Sequence, residues 1–250
     1  MTSFDLSNRA AVVTGALGKI GRAIALGLHN SGARVIGLDR PGMDGGAVPF
    51  DVRAADVSDA SAVGEIVEAL AGSDGGFDIW VNAAYPRTDD WGRNIGREDA
   101  ASWVANVTMQ MTATCVAADA AARAMADGHG GSLINVASIY GMVSPDFSIY
   151  EGTAMGVPGP YSAIKGGLIN HTRYLAGLYG AQGVRANVLA PGGVAAGQDR
   201  SFVDAYSKRT ALKRLASAED MVGPAVFLAS DASAYVTGVC LPVDGGWTAI

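Results

Sequence analysis

A chain of 250 residues, 49% hydrophobic and only 17% charged, can bury a large core, and its length fits one α/β domain over residues 1–250. A formal charge of −6 with no Lys/Arg run argues against nucleic-acid binding, and no run of about 18 apolar residues is present to cross a membrane. Met1-Thr2-Ser3-Phe4-Asp5-Leu6 lacks a basic region followed by an apolar stretch, so a soluble, cytoplasmic protein is expected.

Short apolar runs rich in β-branched residues alternate with longer helical patterns. Strands are expected at Ala10–Thr14, Arg34–Leu38, Val48–Val52, Asp78–Asn82, Ser132–Ala137, Arg185–Ala190 and Val239–Val243. Between them, Lys19–Asn30, Ala60–Ala71, Asp99–Ala126, Tyr161–Tyr179 and Ala218–Ala229 read as helices. This β/α alternation predicts a doubly wound, mostly parallel sheet covered by helices on both faces, the Rossmann-like arrangement. Two irregular stretches, 141–160 and 192–213, follow strand ends, where open parallel sheets bind ligands; they are expected to form a substrate loop and a lid.

The first strand runs into Thr14-Gly15-Ala16-Leu17-Gly18-Lys19-Ile20-Gly21. Glycines between a strand and a helix let backbone N–H groups and the helix dipole meet a pyrophosphate, although glycine spacing alone fits a tight turn without a ligand equally well. Asp39, at the end of the second strand and 18 residues after Gly21, stands where a ribose diol would be held. Its carboxylate would repel a 2′-phosphate and so favours NAD; Arg40 leaves a lesser case for NADP. Asp56-Val57 after the third strand and Asn82-Ala83-Ala84 ending the fourth fit either further dinucleotide contacts or ordinary strand-end chemistry.

Tyr161 and Lys165 are four residues apart on an expected helix, side by side on one face. A cation about 4 Å from the phenol in an effective dielectric of about 20 contributes about 4 kcal/mol, an upper bound that would bring the tyrosine near neutrality and make it a base. Cys115 and Cys240 read as small buried hydrophobes. His29, His129 and His171 share no ligand spacing and pair with no acidic cluster, so neither a metal site nor a Ser-His relay is expected.

In this order the motifs resemble the short-chain dehydrogenase/reductase superfamily, compact branch, over nearly the whole chain. The resemblance implies an Asn106, Ser138, Tyr161, Lys165 tetrad: Asn106 holds a water linked to Lys165, Ser138 binds the substrate oxygen, Tyr161 exchanges the proton, and Lys165 binds the nicotinamide ribose. Pro191-Gly192, with Val194, matches the nicotinamide pocket, and Val243-Asp244-Gly245-Gly246 the C-terminal signature.

Three departures stand out. The glycine turn is spaced as in epimerase-type members, with Lys19 where the compact branch has glycine; that lysine is placed either to add a phosphate contact at the cofactor or to point to solvent, the second reading being favoured. Asn82-Ala83-Ala84-Tyr85 replaces Asn-Asn-Ala-Gly. Ser138 and Tyr161 are 23 residues apart, so about ten residues are inserted near Phe147 to Pro158. Tyr150 has Ala154, not lysine, four residues on, and is a decoy as a base.

Tyr85, Trp91, Tyr140, Met142, Phe147, Tyr150, Met155, Val157 and Phe202 suggest a pocket for a bulky ring with few charges. The expected activity is NAD-dependent interconversion of a secondary, cyclic alcohol and its ketone, by a homotetramer. Phrases around Tyr85 and Tyr150 resemble superfamily members of flagellin-modification or surface-sugar pathways. A sugar-nucleotide epimerase and a non-catalytic dinucleotide-binding protein are the competing readings: the first normally needs a larger substrate domain, and the second does not need the tetrad.

Overall fold

The protein is described here by a computed structural model covering residues 4–73, 75–93 and 95–250; the Met1–Ser3 part of the N-terminal reading lies outside the described residues. Seven strands, β1 (Ala10–Thr14), β2 (Arg34–Asp39), β3 (Asp51–Ala54), β4 (Ile79–Asn82), β5 (Gly131–Val136), β6 (Val184–Pro191) and β7 (Cys240–Val243), form one sheet in the order β3-β2-β1-β4-β5-β6-β7. Every pairing is parallel. The order reverses between β1 and β4, so a crevice opens at their carboxyl ends.

Both faces are covered because successive strand residues point in opposite directions. Ala11, Val13, Ile79, Val81 and Ile134 pack with α1 (Lys19–Asn30) and α7 (Val222–Ala229) through Ile24, Leu28, Ala225 and Leu228. Val12, Trp80 and Leu133 face the other way, onto Val63 and Val67 of α2 (Val63–Ala71), the alanine-rich α4 (Ala113–Asp127) and Leu175 of α5 (Gly159–Tyr179). Strands buried on both faces read as continuous apolar runs.

A polar chain runs through this second layer. Trp80 Nε1 donates to Asn82 Oδ1, Asn82 Nδ2 to Asn135 Oδ1, Asn135 Nδ2 to Thr172 Oγ1, and Thr172 Oγ1 to the Leu168 carbonyl, at 2.7–2.9 Å. These links connect β4, β5 and α5 with every donor paired.

Four expectations change. The third strand lies at Asp51–Ala54, not Val48–Val52, because Phe50 turns into the core and Asp51 takes the place opposite Ile36. The long helix expected over Asp99–Ala126 is α3 (Ala100–Asn106), a π-helical stretch Val107–Thr112 and α4. The lid expected to be irregular contains a helix, α6 (Arg200–Arg209), which buries Phe202 and Tyr206 on one face. Cys115 and Cys240 are only partly buried thiols.

Candidate active site

Strand ends β1, β2 and β4 meet at a cleft of about 1200 Å³, more than an ordinary small-molecule pocket of roughly 300–1,000 Å³ and sufficient for a dinucleotide with a small substrate. At one end is the glycine turn. Gly15 has φ +66°, and a Cβ there would stand 2.7 Å from the Ala84 Cα, so the turn must stay bare to pass the chain leaving β4. Thr14 Oγ1 joins those two strand ends by accepting from the N–H groups of Ala83 and Ala84 at 3.1 and 3.2 Å.

Asp39 lines the cleft, and its carboxylate accepts from the N–H of Leu17 at 2.8 Å and of Arg40 at 2.9 Å. Gly18, Lys19, Ile20, Asp56, Val57, Ala83, Ala84, Gly192 and Val194 line the same surface. Lys19 does not simply face solvent: its ammonium donates to the Ala195 carbonyl at 2.6 Å, joining the glycine turn to the segment after β6.

At the other end, Ser138, Tyr161 and Lys165 come together. Ser138 leaves β5 in an extended conformation, and its Oγ accepts from the Tyr140 N–H at 3.2 Å. Tyr161 and Lys165 are on the first turns of α5, which begins at Gly159 with Pro160 in its first turn, where no intrahelical N–H partner is lost. The Lys165 ammonium is 5.7 Å from the Tyr161 ring centroid and 5.4 Å from that of Tyr85, and donates to the Val136 carbonyl at 3.1 Å.

The electrostatics depart from the expected phenolate. Burial pushes the Tyr161 phenol above its ordinary range, opposed by a hydrogen bond with Ser138, while burial brings Lys165 down to about 8. Desolvation disfavours the charged form of each group and is the largest effect on both.

Aromatic rings surround the phenol. Tyr85, Trp91 and Tyr140 stand edge-on to Tyr161 with centroids 6.0, 6.3 and 6.5 Å away. The Tyr85 hydroxyl accepts from Trp91 Nε1 at 2.7 Å, and the Tyr140 and Tyr150 hydroxyls are 3.2 Å apart. The inserted stretch and α6 share one apolar cluster, with Tyr140, Ile149, Val157, Phe202 and Tyr206 in it, and are joined by an Arg209–Asp146 ion pair of 3.0 Å.

Some expected residues are elsewhere. The Asn82 side chain is consumed by the buried polar chain, and Leu17, Pro191 and Asn106 do not line the cleft. The Asn106 carboxamide instead donates to Thr88 Oγ1 and the Ser102 carbonyl, both at 2.8 Å, and accepts from the Thr88 N–H, so it fastens the Tyr85–Trp91 wall to α3. Phe147 and Met142 are exposed and outside the cleft, whereas Met155 lines it. His171 does have an acidic partner, Asp119 at 3.3 Å. No group of three or more His, Cys, Asp or Glu side chains suited to a metal ion occurs among the described residues, and no helix there is long and apolar enough to cross a membrane.

Arg87, Tyr206 and Gln198 also line the cleft and were not singled out from the sequence. For Tyr206 a signal existed: it lies four residues after Phe202, on one helical face.

Known proteins bear on this geometry. A family model described as enoyl-(acyl carrier protein) reductase matches residues 15–248. Cis-4-hydroxycyclohexanecarboxylate dehydrogenase of Sinomonas cyclohexanicum is 34% identical over 98% of each chain. Post-translational flagellin modification protein A of Campylobacter coli is 34% identical over 68% of this chain and 67% of its own. Among solved structures, a short chain dehydrogenase from Leptospira borgpetersenii serovar Hardjo-bovis with bound NAD+ superposes with a TM-score of 0.87 at 29% identity, over 99% of this chain and 96% of that one. The chain belongs to the short-chain dehydrogenase/reductase superfamily and is an oxidoreductase of the short-chain alcohol dehydrogenase type.

Proposed function

We propose that the protein interconverts a secondary, cyclic alcohol and its ketone with NAD, using Tyr161 as acid and base. One observation carries this reading: Tyr161 stands where the dinucleotide end of the cleft meets its aromatic end, hydrogen-bonded with Ser138 and backed by Lys165.

The bare turn at Gly15 and Gly18 fits a pyrophosphate, and the Asp39 carboxylate at the end of β2 fits a ribose diol while repelling a 2′-phosphate. The nicotinamide, when bound, supplies acceptance or return of a hydride at the substrate carbon. Ser138 holds the substrate oxygen within reach of Tyr161. In reduction the phenol, kept protonated by burial, gives its proton to that oxygen. In oxidation Tyr161 takes the proton, and Lys165, charged below about pH 8, lowers the cost of the phenolate. Asn106, at the junction of α3 with the π-helical stretch, is assigned the water that links to Lys165.

The test is a screen of cyclic alcohols and polyols with NAD and with NADP, followed by the absorbance of the reduced cofactor. Oxidation of a cyclic alcohol with a higher kcat/KM for NAD supports the reading. No turnover of any alcohol, or a higher kcat/KM with NADP, overturns the corresponding part of it.

A further inference from the structure

Beyond Tyr161 the cleft is aromatic, and charge enters its outer rim through Arg87, Asp89 and Arg93. The Arg87 guanidinium lies over the Tyr85 ring, 5.6 Å from its centroid, and that ring is 6.0 Å from the Tyr161 ring. The Tyr85 ring is thus a common neighbour of this cation and of the Tyr161 ring.

Arg87 has no carboxylate within 4.0 Å among the described residues, although Arg9, Arg53, Arg200, Arg209 and Arg214 each have one. Asp89, on the same rim, forms no ion pair with it, and Arg93 is an electrostatic neighbour of Asp90. The guanidinium sits over Tyr85 and also hydrogen-bonds with its side chain, which uses part of its five-donor fork; the remaining N–H groups are of the kind that pair with a carboxylate.

Resting on the alcohol dehydrogenase reading of the cleft, we propose that the substrate is a hydroxy acid whose carboxylate is held by Arg87. The secondary hydroxyl then meets Tyr161, and the carbon frame lies among Tyr85, Trp91 and Tyr140. In the reaction the carbinol carbon is oxidised to a ketone, its hydride reduces NAD, its hydroxyl proton goes to Tyr161, and the carboxylate is unchanged.

The subsite is tested without turnover, by calorimetric titration of the enzyme–NADH complex with cyclohexanecarboxylate and with cyclohexanecarboxamide. The wild type should bind the anion about tenfold or more tightly than the amide. Arg87→Gln should bring that ratio near one, and Arg87→Lys should restore part of it. Equal affinities in the wild type, or an anion preference unaltered in Arg87→Gln, overturn the proposal; if Arg87→Gln fails to fold, the wild-type ratio and Arg87→Lys decide it. Oxidation of 4-hydroxycyclohexanecarboxylate and its methyl ester is measured separately. Loss of all turnover would count against the dehydrogenase reading, while the binding ratio alone judges Arg87.

Discussion

Replacing Lys165 by methionine should make the protein more stable and less active. The residue is only 7% exposed, and burial lowers its pKa from 10.5 to about 8. The unfolded chain therefore holds the proton more tightly than the folded one, and at neutral pH this difference costs about 3 kcal/mol of folding free energy. Methionine keeps most of the apolar stem but loses the hydrogen bond to the Val136 carbonyl, which offsets about 1 kcal/mol. A net gain of about 2 kcal/mol at pH 7 raises the unfolding midpoint by roughly 4–8 °C for a chain of this size. The penalty is complete below pH 8, shrinks as pH rises from there to 10.5, and is absent above, so the gap between variant and wild type should narrow across that window. Urea unfolding at matched chain concentration, at neutral and alkaline pH, measures it. A variant no more stable than wild type at pH 7, or a gap that does not respond to pH, would refute the claim that burial of this charge is costly.

Tyr161→Phe should retain dinucleotide binding while turnover falls by about 10²- to 10⁴-fold, and Tyr150→Phe should mainly change KM; the reverse pattern, with both variants folded, would exchange their roles. Asp39→Asn removes the charge but keeps one acceptor for the Leu17 N–H, so the ratio of kcat/KM for NAD to that for NADP should fall, and an unchanged ratio would dissociate Asp39 from cofactor choice. The chain should self-associate, since Val104 on α3 and Tyr174 and Leu178 on α5 are 66%, 59% and 47% exposed; light scattering that finds a monomer at micromolar concentration would reject this.

The strands of the sheet centre were readable because burial on both faces favours apolar runs, as in Ala10–Val13 and Leu133–Ile134, even though buried polar residues such as Ser132 and Asn135 interrupt β5. The edge strand β3 was misread by three residues because its own side chains are exposed and the apolar signal came from Phe50, just before it. In α6 only Phe202 and Tyr206 are buried, too few to stand out after a glycine-rich stretch. Spacing brought Tyr161, Lys165 and Ser138 to one place, since local helix geometry and a strand end are enough for that. It could not distinguish an asparagine at a strand end that faces the cleft from one that is turned under the sheet, as Asn82 is, because both occupy the same sequence position and differ only in tertiary partners. The sign of the Tyr161 shift depended likewise on desolvation, which no spacing reports.

The buried chain of amides and hydroxyls has a mechanical meaning for the cleft. Thr172 lies two helical turns beyond Lys165 and is clamped by Asn135 from the sheet, so α5 can neither slide along nor roll over the strands without breaking a fully satisfied contact. The height of the phenol above the strand ends is thus indexed from below, as a dowel sets the seat of a moving part. A change at Asn135 or Thr172 would then detune the rate from beneath the sheet, with every residue that lines the cleft left in place.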